Sequence, residues 1–164
     1  MRSLVRVLWR YRTQLTVYRW LQVLERIRSK EGYTGRAMAD GTGIAKALDR
    51  FPERTWDVGI CESHAMDMMA GLAKTGAKPF FAVYSTFVQR AFDQAFQEVA
   101  LQGLAVRLLL DRAGVVGGDG AVHHGFCDIA LLRTLPEALL MAPIDEASLV
   151  AAIELMRTYD DGLS

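Results

Sequence analysis

Several side chains able to do chemistry stand just past short apolar runs. Glu62 follows DVGIC, Tyr84 and Ser85 follow PFFAV, and Asp111 and Arg112 follow AVRLLL. A carboxylate beside an apolar run is costly to bury unless something pairs with it, so Glu62 demands a partner. A guanidinium such as Arg112 suits an anion, because its planar fork matches carboxylate or phosphate oxygens. The loop DRAGVVGGDGAVHHG (111–125) adds Asp119, His123 and His124 among five glycines, Gly114, Gly117, Gly118, Gly120 and Gly125. Glycines at this density let backbone approach a ligand or take left-handed turns. A lone histidine is most often just hydrogen-bonded. Here His64, His123 and His124 all fall near these run ends, which raises the odds of a proton-handling role.

The same loop excludes some chemistries. It is no phosphate-binding P-loop, because no Gly-Lys-Ser/Thr follows. It is no dinucleotide fingerprint, because His123 stands where the third glycine belongs. Gly118-Asp119-Gly120 resembles the start of the motif by which an Asp and a downstream Asn hold Mg²⁺ on thiamine diphosphate, but the chain has no Asn. Any magnesium site must then lie elsewhere. Cys61-x-x-His64 and His123-x-x-x-Cys127 have spacing that zinc accepts. Small-residue packing is the stronger reading, since the second pair sits in a long loop with no ribbon or knuckle beside it. No metal ligands are assigned.

The elements that must position these residues follow from periodicity. WDVGI (56–60), PFFAVY (79–84), AVRLLL (105–110) and ALLMA (138–142) read as strands. Helices are expected over 63–75, 86–101, 127–133 and 146–158, the last capped by Asp145. In 86–101, Phe87, Phe92 and Phe96 read as core residues, yet Tyr84, Ser85, Thr86 and Phe87 open the helix at the chemical edge, where an aromatic face can stack on a flat ligand. Strand and helix alternating with short connections predict an α/β fold, a mostly parallel sheet with helices on both faces. Ligands in such sheets bind beyond the carboxyl ends of the strands, where Glu62, Tyr84, Ser85, Asp111 and Arg112 fall.

The 164 residues suffice for one domain core. Formal net charge is zero but unevenly spread. Residues 1–36 carry nine Lys/Arg against Glu25 and Glu31, leaving the remainder correspondingly acidic. Leu4, Leu8, Tyr11, Leu15, Tyr18 and Leu21 make 3–28 an amphipathic helix pattern. Packing against a partner, a targeting or membrane-surface helix, and a segment foreign to the domain, such as the product of a broken reading frame, all remain open for it. Binding to nucleic acid or an anionic membrane by this segment is a weaker idea, and no nucleic-acid partner is assigned. No apolar run reaches membrane-spanning length, and no secretory signal precedes the two cysteines, so reduced thiols in a cytoplasm are expected.

AMADGTG (37–43), RFPERTWDVGICESHA (50–65), GLAKTGAKPFFAVYSTFVQRAFDQ (71–94), DRAGVVGGDGAVHHGFCDIALLR (111–133) and MAPIDE (141–146) resemble consecutive blocks of the 1-deoxy-D-xylulose-5-phosphate synthase family. The resemblance covers about 37–164 and only the family's transketolase-like pyrimidine-binding domain. It implies two regions, the basic segment 1–36 and that domain at 37–164. The family's larger amino-terminal domain, which holds the diphosphate and Mg²⁺, and its carboxy-terminal domain have no counterpart here, so a partial or truncated member is expected. Ala121 and Val122 replace the family's usual Pro-Thr, and Ser63 its usual Gln, which puts full activity in question.

The resemblance implies thiamine diphosphate as cofactor, pyruvate and glyceraldehyde 3-phosphate as substrates, and isoprenoid, thiamine and pyridoxal biosynthesis as the destination. The family's glutamate at the position of Glu62 hydrogen-bonds N1′ of the aminopyrimidine and favours the imino tautomer, which takes the proton from thiazolium C2. Burial disfavours the charged form of a carboxyl, and a neutral carboxyl can share a proton with a ring nitrogen. Phe87 would stack on the pyrimidine. Tyr84, Arg90, Arg112, Asp119 and His123 would line the substrate channel, with Arg112 on the phosphate and His123 catalytic beside Glu62. A homodimer, or a separate chain carrying the diphosphate-binding domain, would complete the enzyme. The isolated chain is expected to be inactive. The rival reading is a non-catalytic remnant or dimerisation module.

Overall fold

The computed structural model of the chain describes residues 42–164. The basic segment 1–36 lies outside the described residues. Two compact units divide between Cys61 and Glu62.

Of the first unit, the described part holds α1 (Ala45–Arg50) and a 3₁₀ turn at Pro52–Arg54, opened by the proline whose fixed φ suits a first helical position. The run 56–60, expected as a strand, forms none. Asp57 Oδ1 accepts the Gly59 N–H at 2.9 Å, and Gly59 takes a φ of 63°, so the backbone turns where a strand would continue. Trp56 and Ile60 are exposed. Glu62 therefore does not follow a strand end; it is the first residue of a helix.

The second unit begins with α2 (Glu62–Lys74), which buries Ala65, Met66, Met69 and Ala70. It packs on β1 (Phe80–Tyr84) and on the helical segment that follows. β1 pairs in parallel with β2 (Arg107–Asp111), from Phe80 opposite Arg107 to Tyr84 opposite Asp111. Arg107, Leu108 and Leu109 are all buried, so β2 is covered on both faces, as a parallel strand requires. The parallel α/β reading holds for these elements.

The expected helix over 86–101 is present but irregular. It starts as a 3₁₀ helix (Ser85–Ala91), passes through one α-turn, α3 (Phe92–Gln94), and ends as a π-helix (Ala95–Ala100). In the 3₁₀ part, residues three apart eclipse. Ser85, Val88 and Ala91 accordingly form the buried edge, and Tyr84, Phe87 and Arg90 share another. Phe92 and Phe96, expected in the core, are only half-buried, because Ala95 and Val99 take the inward positions.

After β2 come 3₁₀ turns at Gly117–Asp119 and Ala121–His123, then α4 (Asp128–Leu132) and α5 (Glu146–Thr158). Asp145 caps α5 as expected. Its carboxylate accepts the Ser148 N–H at 2.8 Å, and Ser148 Oγ accepts the Asp145 N–H at 3.0 Å, a reciprocal capping box. The run 138–142 forms no strand. Leu139 N–H donates to Leu163 O at 2.9 Å, and one such bond makes no ladder. The last residues instead lie along β2: Leu108 N–H reaches Ser164 O at 2.6 Å and Ser164 N–H reaches Val106 O at 3.0 Å.

Arg107 has a fully buried side chain at the start of β2. Its Nε donates to Met156 O (2.9 Å), Nη1 to Ala105 O (2.6 Å), and Nη2 to Tyr159 O (2.8 Å) and Asp160 Oδ1 (2.5 Å). A buried guanidinium is tolerable only when its donors are satisfied in this way. It ties the end of α5 to the sheet.

Candidate active site

The carboxyl ends of β1 and β2 lie side by side, so Tyr84 and Asp111 are register partners and Ser85 and Arg112 leave the sheet together. Ser85 is fully buried and donates from Oγ to Asp128 Oδ2 at 2.7 Å, which anchors the 3₁₀ helix to α4. Arg112 takes a φ of 58°, left-handed backbone that is uncommon for a side chain this large. Asp111 Oδ1 accepts the Arg112 N–H at 2.8 Å and holds that turn. Burial pushes the Asp111 carboxyl above its ordinary range; the Arg112 N–H works against this and the nearby Asp119 charge adds to it.

The turn aims Arg112 back over the sheet end, with its guanidinium 4.0 Å from the Tyr84 ring centroid. Its Nε pairs with Asp119 Oδ2, while its Nη1 is buried without a hydrogen-bond partner. Tyr84 and Phe87 stack at 5.6 Å with 16° between their planes, as one 3₁₀ turn brings them into line. His123 meets both rings edge-on, at 6.0 Å from Tyr84 and 5.6 Å from Phe87. Its Nδ1 lies 2.8 Å from the Asp119 carbonyl, which orients the imidazole. His124 points elsewhere: its Nδ1 accepts the Val116 N–H at 3.1 Å.

Glu62 is 3 % exposed and finds its partner in Arg90, whose Nη1 sits 2.6 Å from Glu62 Oε1. The same guanidinium lies 4.5 Å from the Phe87 ring centroid. A carboxylate in the first turn of α2 also faces the positive end of the helix dipole. Thus Glu62, Arg90, Phe87, His123, Tyr84, Arg112 and Asp119 form one continuous chain of contacts, although they come from α2, β1, the 3₁₀ helix, the end of β2 and the glycine loop.

Two supporting contacts escaped the sequence reading. Asp128 anchors Ser85, and Ser63 Oγ donates to the Arg90 carbonyl at 2.5 Å; Asp111, expected at this edge, anchors Arg112. Asp128 had a weak signal, an acid inside the apolar stretch FCDIALL. Cys61 and Cys127 are exposed free thiols. Among the described residues, no group of three or more His, Cys, Asp and Glu is placed to hold a metal ion.

Residues 6–162 match the family described as the transketolase pyrimidine-binding domain. The chain belongs to that family. It is similar to 1-deoxy-D-xylulose-5-phosphate synthase of Helicobacter hepaticus, 52% identical over 125 residues, which is 76% of this chain and 20% of the relative. It is also similar to the synthase of Lawsonia intracellularis, 51% identical over 128 residues, 78% of this chain and again 20% of the relative. The chain thus spans about a fifth of the length of these relatives. A solved structure described as a split-gene transketolase, an inactive β4 tetramer, superposes with a TM-score of 0.64 at 25% identity, covering 91% of this chain and 48% of that one. The resemblance read from the motifs is borne out, as is the α/β fold of the pyrimidine-binding domain. No helix among the described residues is long and apolar enough to cross a membrane.

Proposed function

We propose that this chain supplies the pyrimidine-binding part of a thiamine-diphosphate-dependent 1-deoxy-D-xylulose-5-phosphate synthase, joining pyruvate to glyceraldehyde 3-phosphate with loss of CO₂, in the cytoplasm. The observation that carries the reading is the buried Glu62 carboxylate beside the Phe87 ring. Between them lies a planar nitrogen-rich group, the Arg90 guanidinium. An aminopyrimidine is likewise planar and rich in nitrogen, so the residues fit it. Thiamine diphosphate, when bound, supplies the carbanion chemistry. The chain's own residues do the rest. Phe87 supports one face of the ring, and Glu62 shares a proton with its N1′. Arg112, with Nη1 buried and unpaired, is the phosphate anchor. Tyr84, Asp119 and His123 wall the channel, and His123 is the candidate for moving a proton at the substrate. Arg90 lines the channel from the cofactor side, its guanidinium seated between Glu62 and Phe87.

The diphosphate and Mg²⁺ call for a domain outside these residues, since the chain has no Asn with which to build the Asp–Asn magnesium site. A separate chain carrying that domain is in keeping with the split-gene description of the structural neighbour; a homodimer of a longer product is the other arrangement. Alone, the chain has no turnover.

The test is to pair the chain with a chain supplying the diphosphate-binding domain and to follow C2 hydrogen–deuterium exchange of bound thiamine diphosphate. Glu62→Gln keeps size and hydrogen bonding but cannot share an acidic proton, so exchange and turnover should fall by about 10²–10⁴. Equal exchange in both proteins would reduce Glu62 to a helix-capping acid. Pyruvate turnover by the chain alone would refute the need for a partner.

A further inference from the structure

The Arg90 guanidinium makes the two contacts that the proposed reading assigns to the aminopyrimidine. It lies over Phe87 at 4.5 Å and donates to Glu62 Oε1 at 2.6 Å. Guanidinium is flat and carries its N–H donors in a fixed fork, so it can stack with one surface and bond with one edge at once. We propose that Arg90 is the resident occupant of the aminopyrimidine place, a positioning residue that covers Phe87 and keeps Glu62 paired until a planar nitrogen heterocycle displaces it. This rests on the assignment of Glu62 and Phe87 as the pyrimidine contacts.

Three observations make exchange the natural behaviour. The Arg90 side chain is 50% exposed, so its head can return to water with little loss. Its backbone is pinned by Ser63 Oγ on the Arg90 carbonyl, so the side chain swings and the helix stays. Glu62 is 3% exposed and cannot follow it out. Removing one partner of a buried pair leaves an uncompensated charge. Arg90 therefore leaves Glu62 only when another nitrogen group takes over, which makes the place selective for ligands that offer both a flat face and a nitrogen edge. Cofactor affinity is then lowered by the fraction of molecules in which Arg90 is still seated.

The experiment titrates the full chain with thiamine, which lacks the diphosphate and so does not depend on a partner's diphosphate site. Calorimetry or NMR shift changes at the Tyr84, Phe87 and His123 rings report binding. Arg90→Ala should bind thiamine at least about tenfold more tightly than the native chain, equivalent to about 1.4 kcal/mol. Guanidinium ion, well below denaturing concentrations, should compete with thiamine in Arg90→Ala and not in the native chain. If Arg90→Ala does not fold, Arg90→Lys keeps a cation beside Glu62 without the flat fork, and it too should bind thiamine more tightly than native. Binding by these variants equal to or weaker than native, while Phe87→Ala still weakens it, overturns the resident-occupant role and leaves the pyrimidine place standing. Binding indifferent to both Phe87→Ala and Glu62→Gln, or undetectable in every variant, overturns the role together with the assignment it rests on.

Discussion

Gly125→Ala should damage both stability and site geometry, because Gly125 is where the glycine loop touches the sheet end. A Cβ built there lies 2.2 Å from Ser85 Oγ, 2.7 Å from Ser85 Cβ and 2.9 Å from the Arg112 carbonyl. None of these can yield cheaply. Ser85 is fully buried and bonded to Asp128, and the Arg112 carbonyl belongs to a left-handed turn. The loop must retreat instead, at the expense of the two 2.9 Å backbone bonds between Gly114 and Gly125. Overpacking costs about 1–3 kcal/mol, and weakening the two backbone hydrogen bonds about 0.5–1.5 kcal/mol each. A total near 3 kcal/mol is expected, which lowers Tm by about 6–12 °C for a chain of this size. Urea and thermal unfolding measure it. Gly118→Ala is the control: nothing lies within 4 Å of the added Cβ, and the change should stay within about 0.5 kcal/mol. In the double variant with Ser85→Gly the two closest clashing atoms are gone and only the Arg112 carbonyl remains, so the two losses should fall short of additivity by about 1 kcal/mol or more. A Gly125→Ala protein as stable as Gly118→Ala, or strict additivity, would refute the steric argument.

The remaining expectations concern three charged residues. In an assembled enzyme, Arg112→Ala should raise KM for glyceraldehyde 3-phosphate by one to two decades, the worth of a charge-assisted bond of about 1.5–3 kcal/mol, and leave KM for pyruvate nearly unchanged; equal effects on both would remove the phosphate from Arg112. Arg107→Met takes the guanidinium donors from the buried Met156 carbonyl and the half-buried Tyr159 carbonyl and should destabilise the chain by about 3 kcal/mol in urea, with a loss under about 1 kcal/mol showing that water replaces the guanidinium. The Lys78 ammonium, assisted by Arg107, holds Asp160 below the usual carboxylate range despite its partial desolvation. Its contribution is therefore present above the unfolded carboxyl pKa of about 3.9 and lost as pH falls through the depressed folded value, so Asp160→Asn should flatten the acid limb of the stability–pH curve below about pH 4. An unchanged acid limb would show that the pair does not outlast solvent screening.

Much of this protein was legible before any coordinates. Apolar runs ending in chemical residues predicted β1 and β2, the parallel pairing, and the edge at which Tyr84, Ser85, Asp111 and Arg112 emerge. Those features are local: a run of Val, Leu and Phe buries itself wherever it lies, and its carboxyl end is set by its direction. Asp145 as a cap was legible for the same reason, since cap and helix are neighbours in the chain. The runs 56–60 and 138–142 misled, because apolar composition proposes a strand but a hydrogen-bonded neighbour makes one, and a neighbour is not a property of the run itself.

The site shows the same division. The seven residue types and their loops were readable from motif and resemblance, but their contacts were not. A sequence period near 3.6 was assumed for 86–101, and on that period Tyr84, Phe87 and Arg90 would not share an edge. The actual 3₁₀ period of three aligns them, and it is held by Ser85 on Asp128, forty-three positions along the chain. Likewise the partner that buried Glu62 requires is Arg90, twenty-eight positions away. The sequence alone determined which groups are present and which end of the sheet they reach. Tertiary structure decided which of them touch, because a buried charge takes the partner that packing brings to it, and packing is a sum over residues that no short stretch contains.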